Sequence, residues 1–176
     1  MLSNPIKISL QNQFESCMVM LQKLIHNIPQ NIWSSSIDDT LVYHQVYHVL
    51  FFIDNWFRDT YIRGQKDHFV EIFGVTPDYN TPLEQNIFLS QDDMQSYLKK
   101  IYTKTMRVFS NLTDENLGKP IINGGSMEYT HMDVIIGQIR HIMYHVGYLN
   151  SFLKRENSPV SNWYAHNEGE KLKFEK

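Results

Sequence analysis

Apolar residues recur at the helical period over four long segments of this chain, and the two-residue alternation of a half-buried strand dominates nowhere. Four long apolar stripes must each be buried against a neighbour, and the economical arrangement is an all-α four-helix bundle. Capping chemistry suggests the boundaries. Ser36/Asp39, Ser90/Asp93 and Thr130/Asp133 each match a capping box, in which a hydroxyl oxygen accepts an orphan amide and an acid three places on reaches back. Asn4 can cap the first segment, with Pro5 at a position where its missing N–H goes unused. The spacing therefore predicts helices from Pro5 to about His26, from about Ile37 to Ile62 with Gly64 just beyond, from Gln91 to Leu112, and from His131 to Arg155, before Asn157 and Pro159.

The length of 176 residues suits one domain with a sizeable core. The first link, "NIPQNIWSSS", is short and makes its flanking helices antiparallel neighbours. Residues 64–89 are enough chain to travel back along a helix, so the second and third helices can run parallel. In "GKPIINGGSMEYT", apolar residues surround Asn123-Gly124-Gly125, a composition suited to a tight hairpin at the mouth of the bundle. The tail after Pro159 is expected to be loosely held.

With a net charge of -3 and scattered Lys and Arg, the chain lacks the basic footprint of a nucleic-acid binder. Its first residues do not resemble a secretory signal and no stretch approaches the length of a membrane span, so a soluble, cytoplasmic protein is expected. One cysteine, Cys17, excludes an internal disulfide and a thiolate cluster, and should face the core from the first helix. P-loop, dinucleotide, Cys-x-x-Cys and His-Glu-x-x-His patterns are absent.

The chemistry lies in the histidines. "RHIMYHVGYLN" places His141 and His145 one turn apart, and "YHQVYHVLFF" does the same for His44 and His48. The first pair shares its face with Val134, Gln138, Tyr148 and Phe152, the second with Leu41, Phe52 and Asn55, so both faces look inward. A lone core histidine usually hydrogen-bonds a carbonyl or a tyrosine. Three or four buried together each need a partner for a ring nitrogen and each tend to lose their proton, and one divalent cation answers all of them. A di-iron centre would need interior glutamates that the second and fourth helices lack, and Glu128-x-x-His131 straddles a helix start. A haem held by His and Met has no attachment motif behind it, and Met at helical spacing is more often core. His26, His68, His131 and His166 lie at helix ends, in the crossover or in the tail, and are set aside.

Taken in order, "YHVLFFIDNWF", "NLTDENLGKP" and "IRHIMYHVGYLN" resemble the DinB/YfiT-like superfamily of metal-dependent enzymes, over almost the whole chain. The resemblance implies an up-down-down-up bundle, often a homodimer, with a divalent metal on one histidine of the second helix and a His-x-x-x-His pair of the fourth. By matching position these are His48, His141 and His145. His44 has no required place in that pattern and falls to the pocket, the second layer around the metal or the core. The resemblance also implies activation of a low-molecular-weight thiol for transfer or isomerisation, with hydrolases as an alternative.

Three neutral imidazoles leave a cation its full charge and open coordination positions, chemistry that activates a thiol or a water. The expected function is thus thiol S-transfer or related detoxification of a small molecule, then metal-dependent hydrolysis, then a noncatalytic metal-stabilised stress or binding protein. A structural site would show a fourth protein ligand, for which His44 is the candidate. Zinc or nickel is expected first, with iron and manganese as alternatives. Asn55 and Gln138 are candidate pocket groups, and Trp163 and Tyr164 candidate contributors from the tail.

Overall fold

The computed structural model describes residues 4–57, 75–81, 87–123 and 128–165, with backbone alone at 122, 123 and 128. Four long helices carry the architecture: α1 (Pro5–Asn27), α3 (Val42–Trp56), α4 (Gln91–Ser110) and α5 (His131–Arg155). A short helix, α2 (Gln30–Trp33), and two antiparallel hairpins, β1 (Ser36–Ile37) with β2 (Thr40–Leu41) and β3 (Pro120–Asn123) with β4 (Glu128–Thr130), complete the described elements. The long helices pack α1 on α5, α5 on α3, α3 on α4 and α4 on α1, and their apolar faces merge into one core cluster. Among the described residues no helix is long and apolar enough to cross a membrane.

The capping chemistry explains which boundaries were legible. Ser90 and Asp93 form a full capping box at α4, as do Thr130 and Asp133 at α5, and both helices start where that predicts. Helix α1 is capped differently. Pro5 opens it, but Asn4 is in the left-handed region at φ 59° and makes no side-chain cap. The free amides of Ile6 and Lys7 donate instead to the Asp114 carboxylate at 3.1 and 2.8 Å, while Asn4 Oδ1 accepts from the Asp114 amide. A remote carboxylate thus satisfies the orphan donors of the first turn.

The Ser36/Asp39 box is corrected. Ser36 and Ile37 pair with Leu41 and Thr40, and the two residues between them, Asp38 and Asp39, both have positive φ, 48° and 65°. That is the backbone of a two-residue hairpin turn, which Asp tolerates better than most residues. Helix α3 therefore begins at Val42, with Leu41 as an N-cap that supplies no side-chain bond. It ends at Trp56, because Phe57 turns to φ -88° and ψ 97° where the expected helix to Ile62 would continue; residues 58–62 lie outside the described residues, as do His68, His166 and the turn at 124–127. The strands of the second expected hairpin are present as β3 and β4. In the tail as far as Ala165, Val160 and Trp163 are exposed, while Ser161 is buried and exchanges hydrogen bonds with Asn150, and the Ala165 carbonyl accepts from Gln13 Nε2.

One ion pair is sealed inside the bundle. Asp54 on α3 is fully buried, and its carboxylate meets Lys104 Nζ of α4 at 2.5 Å and accepts the Tyr97 hydroxyl proton at 2.9 Å. Lys104 Nζ also donates to the Asp54 carbonyl at 2.7 Å. Such a pair is costly to bury and costlier to break. Asp54→Asn should lose about 3–5 kcal/mol in urea unfolding by stranding the ammonium. Adding Lys104→Met should restore most of that loss, whereas equal unfolding midpoints for the wild type and Asp54→Asn would deny the pair any role in the core.

Candidate metal centre

Helix α5 faces the core with Val134, Ile135, Ile142, Val146, Leu149 and Leu153, all buried. Gln138, His141 and His145 occupy the same arc, so the helix that buries the apolar stripe also carries two imidazoles inward. Helix α3 contributes His48 from the opposite side. One ligand atom from each of His48, His141 and His145 lies within 4.8 Å of the others, and the Nε2 atoms of His48 and His141 are 3.1 Å apart. Two nitrogens bound to one tetrahedral zinc at about 2.0–2.1 Å would be about 3.3 Å apart, so the observed separation suits a shared ion.

The orientation of His48 comes from the crossover between α3 and α4. Four side chains of β2 and α3 hold the carbonyls of its residues 75–79. Tyr47 donates to Val75 at 3.1 Å and Thr40 to Tyr79 at 3.3 Å, while His44 Nε2 meets the Thr76 carbonyl and His48 Nδ1 the Pro77 carbonyl, each at 2.7 Å. A carbonyl only accepts, so His48 carries its proton on Nδ1 and its Nε2 lone pair faces the cluster. The same segment delivers Tyr79, whose ring sits edge-on to His48 at 4.6 Å and to His145 at 5.7 Å. Phe52 covers the other side, 4.8 Å from His48 and 5.8 Å from His141.

The site is left short of partners. Among the described residues His141 Nδ1, His145 Nδ1 and Gln138 Oε1 are buried without a hydrogen bond. Burial also strips the rings of charge: desolvation, reinforced by His48, pushes His141 down to about 4, and desolvation with His141 and His48 pushes His145 down to about 3. His48 is lowered too, mainly by burial and against the Pro77 bond. Three neutral imidazoles with unspent nitrogens are a donor set suited to a divalent cation.

The candidate residues sort cleanly. His48, His141 and His145 converge. His44, buried at 2% exposure, is spent on the Thr76 carbonyl and does not join the metal-capable group. Asn55 is half-buried on α3 and does not line the cleft beside His145. Tyr164 packs against Lys23 of α1, and Trp163 is exposed, so neither tail aromatic enters that cleft. Cys17 is buried, with its thiol pushed up to about 11. The cleft, ≈ 240 Å³, is walled in part by Asp38, Gln45, Tyr79, Tyr144 and Tyr148. Sequence reasoning missed Asp38 and Tyr79 as site residues. The signal for Asp38 was the Asp-Asp pair between short apolar runs; Tyr79 had none.

Linkage gives these rings a testable signature. Their folded pKa values lie below the ordinary 6.5, so the unfolded chain binds more protons as pH falls below that value. Their contribution is intact above pH 6.5 and lost progressively toward about pH 3. Metal-free protein should show a falling Tm over that window, with a shallower slope in a His141→Asn/His145→Asn variant; parallel slopes would contradict burial of neutral rings.

No protein-family profile matches the chain, and no curated protein sequence does. Among solved structures it is similar to the crystal structure of a DinB-like protein, YjoA, from Bacillus subtilis, with a TM-score of 0.58 at 17% identity over 89% of this chain and 97% of that one. The chain thus has the fold of a DinB-like protein.

Proposed function

We propose that the protein is a metal-dependent enzyme whose divalent cation is held by His48, His141 and His145. The convergence of these three imidazoles beside an open cleft carries the proposal. In the same reading the scaffold is a single-domain, up-down-down-up four-helix bundle, with α3 and α4 parallel and the chain a cytoplasmic homodimer without nucleic-acid partners. Zinc or nickel suits an all-imidazole set, with iron or manganese as alternatives. When bound, the ion supplies the Lewis acidity that deprotonates a thiol or a water.

The chain's own residues prepare that chemistry. Pro77 fixes the His48 proton on Nδ1, and Phe52 and Tyr79 shield the rings from water. With His141 Nε2 turned to a cation, its proton resides on Nδ1; Gln138 Oε1, one helical turn earlier and unpartnered, is the acceptor we assign to it. Engagement of His44 by Thr76 supports an enzyme over a closed structural site, which would require a fourth protein ligand.

The favoured reaction is S-transfer from a low-molecular-weight thiol to a small electrophile. The thiol sulfur bonds to an electrophilic carbon, the bond from that carbon to its leaving group breaks, and the S–H proton passes to solvent. The buried, protonated state of Cys17 supports a thiol brought from outside the chain. Hydrolysis is the alternative, and a noncatalytic metal-stabilised stress or binding protein the third reading.

Substituting His48, His141 or His145 singly with Ala should weaken zinc or nickel binding by at least about tenfold, while His44→Ala leaves the metal content near that of the wild type. Unchanged stoichiometry in all three variants would overturn the ligand assignment. With metal-loaded protein, turnover of electrophiles that needs both thiol and metal supports transfer. Metal-dependent turnover without thiol supports hydrolysis, and metal binding without turnover in either assay supports the noncatalytic protein.

A further inference from the structure

Apart from His145 itself, the cleft is lined by residues outside the proposed metal ligands. Asp38 reaches it from the β1–β2 turn, Gln45 from α3, Tyr79 from the crossover, and Tyr144 and Tyr148 from α5. Three phenol rings and one carboxylate therefore meet in ≈ 240 Å³, and among the described residues neither Lys nor Arg lines it. The Tyr148 hydroxyl donates to Asp38 Oδ2, which pins the carboxylate and leaves it lone pairs for a second donor. Arg155, the cation whose field reaches Tyr148, lies over Phe152 at 6.0 Å and outside the cleft wall. Asp38 also sits in a hairpin turn at φ 48°, so its place is set by backbone geometry.

Tyrosine rings carry a negative face, and several of them with one acid form the environment that binds ammonium and methylated ammonium groups. We propose that this cleft binds a cationic amine on the small-molecule substrate, seated among Tyr79, Tyr144 and Tyr148 with Asp38 as its counter-charge. Its affinity comes from the cage alone; its role in orienting a substrate rests on the metal assignment above. A divalent cation on the three histidines and an ammonium repel each other, so the amine is driven to the Asp38 end and the reacting atom points toward His145. Tyr148 lies three residues beyond His145, about 4.5 Å along the helix axis.

Choline and its uncharged isostere 3,3-dimethylbutan-1-ol separate charge recognition from shape. Calorimetric titration of metal-free and zinc-loaded protein should show choline binding to both forms, with the alcohol at least about tenfold weaker. Asp38→Asn should weaken choline about tenfold while zinc stoichiometry holds, and Tyr144→Ala, at a rim position 66% exposed and safe for folding, should weaken it severalfold. Equal binding of choline and the alcohol, as expected of a cleft made for neutral hydroxyls, would overturn the proposal, as would no choline binding at millimolar concentration. Failure of the wild-type protein to take up zinc, with choline binding intact, would overturn the metal assignment and leave the amine site standing.

Discussion

A backbone that crosses a helix without strand partners must still find donors for its carbonyls. In this protein Tyr47, His44, His48 and Thr40 supply them, and residues 75–79 are fastened across the face of α3 carbonyl by carbonyl. The consequences reach the site directly. The Pro77 bond settles which nitrogen of His48 keeps its proton, and so which one faces His141 and His145. The fastened segment also carries Tyr79 over two of the three rings and into the wall of the cleft. Two histidines one turn apart on α3 thereby take different work: His44 is an anchor, and His48 is both anchor and candidate ligand.

The bundle tolerates this polar centre because its apolar packing is continuous around it. Phe14, Phe57 and Phe109 stack in tilted contacts at 4.8 to 5.8 Å, and the apolar positions of α5 alternate with its inward polar ones. The two buried polar clusters differ in kind. Asp54, Lys104 and Tyr97 satisfy one another, whereas His141, His145 and Gln138 retain buried atoms without partners. Desolvated, unpaired groups cost stability, and their retention at a single point suits the metal site proposed there.

Much of this was legible in the sequence, for local reasons. The starts of α5 and α4 follow from reciprocal capping boxes, and the inward aim of His141 and His145 from a period shared with Val134 and Phe152. The Ser36/Asp39 pattern misled because Ser-x-x-Asp also fits a hairpin in which both central Asp residues take positive φ, and only pairing with Thr40 and Leu41 decides between them. Asp114 capping α1 and Asn150 holding Ser161 are contacts between distant parts of the chain, invisible to any local pattern. Tyr79 belongs to the same class: its place is set by where the crossover is fastened and not by its neighbours in sequence.

Anomalous diffraction at the zinc edge, from crystals grown with one equivalent of zinc, tests the central claim most directly. Convergence of the three imidazoles predicts one strong peak about 2.0–2.1 Å from a nitrogen of each of His48, His141 and His145, with His44 still on the Thr76 carbonyl. A peak at another place, or one bonded to His141 and His145 while His48 stays out of reach, would contradict it.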